Sequence, residues 1–227
     1  MPDARLLVID NAIDHTSYRP VEHWTAMVGF QPDSVRLPTG GTLPDVDSYS
    51  HVIISGCEGS VSDLAPWAED EVSWVRQAIG AGTAVLGSCW GHQLIALAMA
   101  GAQAVRPAAT PECGWIDIAV GDSGDLLPVE TFQAFATHFD EVVPGCHPDL
   151  RVLAATADCA VQAARWGDRR VWGLQAHPEM DPQCGKEFLV GCIERWPQSE
   201  AVFRSGLASP VLDSGEGRTI AKRFLNA

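Results

Sequence analysis

One cysteine stands where a nucleophile would. Gly87-Ser88-Cys89-Trp90-Gly91-His92-Gln93 sets Cys89 between glycines two residues before and two after it. An apolar run at 83–86 leads in, and an apolar, helix-like stretch at 93–100 leads out. Strand, cramped turn and helix in that order make a nucleophile elbow with cysteine in place of serine, and glycine permits the backbone such a turn requires. The sulfur then lies at a helix N-terminus, where the macrodipole favours an anion and so a thiolate.

Such a sulfur needs a base, a group to orient the base, and donors for an oxyanion. Of the seven histidines, His177 is best placed, just past an apolar strand at 171–175. Glu179 follows two residues later, so in extended backbone both side chains point to one side. Pro178 favours that form by keeping His177 out of the helical region. A carboxylate beside an imidazole fixes its tautomer and supports its charged form. The oxyanion donors are expected from the backbone: the N–H of Trp90, at the helix start, and that of Gly56 or Cys57 in the loop Ser55-Gly56-Cys57-Glu58-Gly59-Ser60. A zinc site from Cys89, His92, His177 and Cys184 is the competing arrangement. It would occupy the sulfur, and no paired Cys/His knuckle supports it, so neither metal nor cofactor is expected. His92 is expected to pack beneath the elbow.

Alternating elements must hold these groups. Strands are expected at 5–9, 34–37, 51–54, 83–86 and 171–175, and helices at 19–30, 67–79, 93–100 and 186–196. Segments 115–120, 131–136 and 160–166 alternate with period two. The last thirty residues read as loop and then a helix at 218–225. The pattern predicts an α/β fold: a three-layer, flavodoxin-like, mostly parallel sheet with helices on both faces and a smaller antiparallel section. With no repeat or linker, one domain over 1–227 is the simplest partition.

The composition narrows the partners. Fifteen basic against twenty-nine acidic side chains give a net charge of −14, which argues against nucleic acid or an anionic membrane. No stretch reaches the roughly 18 apolar residues of a membrane span, and Met1-Pro2-Asp3-Ala4-Arg5 lacks signal-peptide form. Seven irregularly spaced cysteines without a C-x-x-C suit free thiols in a reducing cytoplasm.

Together, the elbow at 87–93 and Gln175-Ala176-His177-Pro178-Glu179 resemble the class I (triad) glutamine amidotransferases. Ile54-Ser55-Gly56 is similar to the start of that family's oxyanion loop, and Thr137-His138-Phe139-Asp140-Glu141-Val142 to its glutamine-pocket segment. Gly114-Trp115 and the segment from Gly217-Arg218 to Phe224-Leu225 resemble the stand-alone GMP-synthetase-like branch. The resemblance implies hydrolysis of a γ-glutamyl amide: Cys89 attacks, a thioester forms, and His177, oriented by Glu179, moves the protons. It implies that Gln93, His138 and Phe139 help hold the glutamyl part. Two departures bear on selectivity. Cys57-Glu58 replaces the family's Gly-Pro, placing the Glu58 carboxylate near a substrate amino group, and Phe139 stands where glycine is common and narrows the pocket.

Three functions compete. The first is a glutaminase that passes ammonia to a separate synthetase, since no P-loop G-x-x-x-x-G-K-[ST] occurs. The second is a free-standing γ-glutamyl peptidase or hydrolase. The third is a catalytically weak regulatory member of the fold. An α/β-hydrolase with a cysteine nucleophile is the competing fold, but there the acid precedes the histidine.

Overall fold

The computed structural model describes residues 5–128, 130–211 and 215–227. Met1 to Ala4, part of the stretch read for a leader, lie outside the described residues. The elements run, in chain order, β1 (Leu6–Asp10), α1 (Pro20–Val28), β2 (Asp33–Arg36), β3 (His51–Ile54), α2 (Pro66–Ala81), β4 (Ala84–Ser88), α3 (Trp90–Ala100), β5 (Val105–Val120), β6 (Phe132–Val142), β7 (Leu150–Ala155), β8 (Ala163–Trp166), β9 (Val171–Leu174), α4 (Pro182–Arg195), α5 (Glu200–Ala208) and α6 (Glu216–Leu225). Among the described residues the strands form one nine-stranded sheet in the order β2-β1-β3-β4-β9-β8-β7-β5-β6.

The first half of that order is parallel throughout. From β9 onward every pairing is antiparallel. The α/β expectation holds, but the sheet is not mostly parallel and its antiparallel section is not the smaller part. The reason is local. The alternation at 115–120 marks only the end of β5, which begins at Val105. β7 carries no period-two signal, because Val152-Leu153-Ala154-Ala155 is continuously apolar.

The central strands are buried on both faces, and alternate residues divide two cores. Leu7, Ile9, Val52, Ile54 and Val85 pack with Val75 and Ile79 of α2 and with Leu94 and Ile95 of α3. Leu6, Val8, Ile53 and Leu86 face the other way, onto Trp24 of α1 and Ile220 and Phe224 of α6. Each such side chain contributes about 1.5–3 kcal/mol by leaving water. A third cluster, with Tyr18, Phe135, Met180, Leu189 and Phe203, lies under α4 and α5.

α5 falls where loop was expected. Its buried residues are Phe203 and Gly206, too few to give a helical stripe. Gly206 instead meets β5 backbone to backbone. Gly114 has φ +99°, and a Cβ there would stand 2.5 Å from the Gly206 carbonyl oxygen. Ser209 Oγ, just past the helix, accepts the Trp115 N–H at 2.9 Å.

Glu71 of α2 is fully buried. Its Oε1 accepts Asn11 Nδ2–H at 3.0 Å, and its Oε2 has no partner among the described residues. Burial pushes the carboxyl up to about 8 from 4.5. Between those values the folded protein holds a proton that the unfolded chain has released, so stability is full below about pH 4.5 and is lost as pH rises through about 8. Glu71→Gln should remove this loss, raising stability at pH 8.5 by several kcal/mol with little change at pH 5. Urea midpoints at the two pH values check it, and an equal response in both proteins would count against it.

Candidate active site

Three neighbouring parallel strands, β3, β4 and β9, end at the same edge of the sheet, the edge where open α/β sheets carry their sites. Cys89 follows β4 with φ 50° and ψ −107°, a conformation uncommon outside glycine. The cramped turn is held by close backbone approach. A Cβ at Gly87 would collide with the Gly91 carbonyl, and one at Gly91 with that of Ile54. The Cys89 N–H donates to Leu174 O of β9 at 2.7 Å, which ties the elbow to the neighbouring strand. The N-cap side chain, that of Cys89, makes no capping bond, so it leaves the first-turn N–H groups of α3, Trp90's among them, unclaimed.

His177 reaches the sulfur from the end of β9. Its N–H donates to Phe135 O at 2.7 Å, anchoring it to β6. The ring's Nδ1–H donates to Glu179 Oε1 at 2.9 Å. Glu179 also accepts Tyr18 O–H at 2.8 Å and Ser88 O–H at 2.9 Å. Cys89, His177 and Glu179 are all buried. Burial works against a charged His177, but the charges of Cys89 and Glu179 and its hydrogen bonds to both outweigh it and raise the ring to about 10. Burial likewise opposes ionisation of Glu179, and the His177 charge, with the bonds it receives, overcomes this and lowers its pKa. The other thiols are of another kind: burial pushes Cys57, Cys159 and Cys192 up to about 12.

The loop after β3 comes close to the imidazole. A Cβ at Gly56 would stand 2.6 Å from His177 Cε1, so only glycine fits there. The Gly56 N–H donates to Tyr18 Oη at 3.1 Å. It is therefore already committed. Of the two expected donors, the Cys57 N–H is the one without a hydrogen-bond partner among the described residues. The Glu58 carboxylate is also committed, accepting the Ile13 N–H at 2.7 Å and the Asp14 N–H at 3.0 Å.

A cavity of about 320 Å³ opens over the sulfur. Trp90 lines it, tilted against Trp67 with ring centroids 5.5 Å apart. Gln93 and His138 also reach it, and both donate to Asp140 O, at 2.9 and 3.0 Å. His138 Nε2 meets Glu112 Oε2 at 3.0 Å. Phe139 sits at the rim, 41% exposed. His92 lies beneath the elbow with Nε2 on Val161 O at 3.3 Å, and burial lowers it to about 4. Cys184 turns to Asp181. The four residues of the competing zinc arrangement thus do not converge. Among the described residues the group whose ligand atoms lie within 4.8 Å of one another is Glu112, His138 and Cys159.

Two groups have no sequence signal or a faint one. Tyr18 comes from the loop before α1, with no motif around it. Gln175 lies in the quoted stretch at the end of β9, and its Nε2–H points at Cys89 Sγ, 3.7 Å away.

The model of the class-I glutamine amidotransferase family matches residues 7–191. The glutamine-hydrolyzing component of a GMP synthase from Saccharolobus solfataricus, a separate subunit, is 31% identical over 146 residues, 63% of this chain and 74% of that protein. A glutamine-hydrolyzing GMP synthase from Aeropyrum pernix is 34% identical over 163 residues, 66% of this chain; the match spans 30% of that longer protein. The crystal structure of a glutamine amidotransferase from Methylobacillus flagellatus superimposes with a TM-score of 0.73 at 18% identity, over 98% of this chain and 94% of that one, a likeness of fold.

Proposed function

Because the chain belongs to the class-I glutamine amidotransferase family, we propose that it hydrolyses a γ-glutamyl amide through a thioester on Cys89. The observation that carries this reading is the buried line from Glu179 through His177 to the strained cysteine, set on adjacent parallel strands. Cys89 attacks the amide carbon. The N–H groups of Trp90 and Cys57 receive the oxyanion. His177 gives its proton to the departing nitrogen, then takes one from the water that cleaves the thioester. Gln93, His138 and Phe139 border the glutamyl part. Glu58 acts at one remove, holding the 13–14 loop at the pocket's edge.

With glutamine as substrate the products are glutamate and ammonia. The GMP synthase relative from Saccharolobus solfataricus, itself a separate subunit, supports transfer of that ammonia to a separate synthetase. The free cysteines suit work in a reducing cytoplasm. Release of glutamate from glutamine, with a γ-glutamyl adduct on Cys89 seen by intact mass after acid quench, tests the reading. Absence of both with every γ-glutamyl compound tried would sink it.

Tyr18 joins the carboxylate to the oxyanion loop, and burial keeps its hydroxyl protonated. Tyr18→Phe should lower kcat by about 10-fold or more, the scale of one lost positioning bond to a charged group, with KM nearly unchanged. Steady-state kinetics decide it. A change in KM alone would show that Tyr18 only shapes the pocket.

A further inference from the structure

The cavity has two unlike sides. Ser60, Gln93, His138 and Asp140 make one polar, with Asp140 Oδ2 accepting Ser60 O–H at 2.5 Å. Met180, Phe188, Cys192, Trp196 and Phe203 make the other mainly apolar, with Gln198 and Ser199 among them. Among the described residues, no lysine or arginine lines the cavity. The family match ends at residue 191, so Cys192, Trp196 and Phe203 lie beyond it. Phe203 fixes the wall, with ring centroids 6.0 Å from Phe139 and 6.4 Å from Trp196.

The chemistry orients a substrate between these sides. The leaving nitrogen must face His177, which protonates it. Beside His177 stand Tyr18 and Phe135, at 5.2 and 6.1 Å, and both rings meet Phe188 edge-on. The surface from the imidazole to Trp196 and Phe203 is therefore largely apolar, interrupted by Gln198 and Ser199, while the polar groups open to a glutamyl part are those of Ser60, Gln93, His138 and Asp140. A volume of about 320 Å³ is at the low end of the roughly 300–1,000 Å³ of small-molecule sites, and it is shared between the glutamyl part and the leaving group.

Resting on the γ-glutamyl hydrolase reading, we infer that this wall receives the leaving group, and that the enzyme takes γ-glutamyl amides of apolar, aromatic amines in preference to small ones. The sulfur–carbon bond forms as the carbon–nitrogen bond breaks. The amine leaves with the His177 proton, and water then yields glutamate and restores the sulfur and the protonated ring.

The test compares kcat/KM for glutamine, γ-glutamyl ethylamide and γ-glutamyl phenethylamide, the last two having amines of similar basicity. kcat/KM reports acylation, the step in which the amine departs. The phenethylamide should exceed the ethylamide by about 10-fold or more, and in Trp196→Ala and Phe203→Leu that ratio should fall toward one. A ratio taken within one protein is unaffected by the fraction that folds. A wild-type ratio of one or less, with adduct still forming on Cys89, overturns the inference and leaves the hydrolase reading standing. No adduct from any of the three overturns both.

Discussion

Cys89→Ala is expected to lower γ-glutamyl hydrolysis by about 10⁴- to 10⁶-fold, the range seen when a covalent nucleophile is removed from an otherwise intact site. The remainder would come from the oxyanion donors and binding alone. The fold should tolerate the change. The sulfur's polar contacts are long, 3.8 Å to Thr137 O and 3.7 Å from Gln175 Nε2, and alanine adds no bulk at φ 50°. Thermal unfolding should shift by no more than a few degrees while glutamate release and the mass adduct both vanish. Hydrolysis persisting above about a hundredth of wild type would place the nucleophile elsewhere.

Glu179→Gln should be nearly as severe, about 10²- to 10⁴-fold in kcat. The amide keeps the shape but offers an N–H where an acceptor is needed, so the His177 ring is no longer held with Nδ1–H toward this position. It also removes a negative charge. Burial opposes the charged ring, and the Cys89 and Glu179 charges together hold it at about 10. Without the carboxylate His177 should lose its proton at lower pH, and the alkaline limb of the kcat/KM profile should move down with it. A structural defect would lower the whole profile without moving that limb, which makes the pH dependence the deciding measurement.

Much of this site is written in short, local patterns. An elbow is legible because its glycines are forced by backbone collisions at Gly87 and Gly91. His177 and Glu179 are legible because a proline and a spacing of two leave little freedom. The helices at α2 and α3 are legible because they bury stripes or whole surfaces against the sheet. What stays hidden depends on contacts across the chain. Tyr18 meets Glu179 across 161 positions, and no periodicity announces it. Gly56 is a reasonable oxyanion donor by its sequence, but its N–H goes to Tyr18. Glu58, expected near a substrate amino group, spends its charge on two backbone amides. α5 is hidden because its contact face is a glycine, which sequence rules count against a helix. The extent of the antiparallel half is hidden for a similar reason, since β7 lacks alternation.

The seat of α5 has a consequence for descent. Gly114 and Gly206 join strand to helix by main chain, far along the sequence from the strands that bear the sulfur and imidazole. Phe203 projects from α5, and Trp196, at the end of α4, packs against it. Mutation there can rewrite which amine is accepted while the bond-breaking apparatus is inherited intact, so a lineage is free to change its diet without first losing its chemistry.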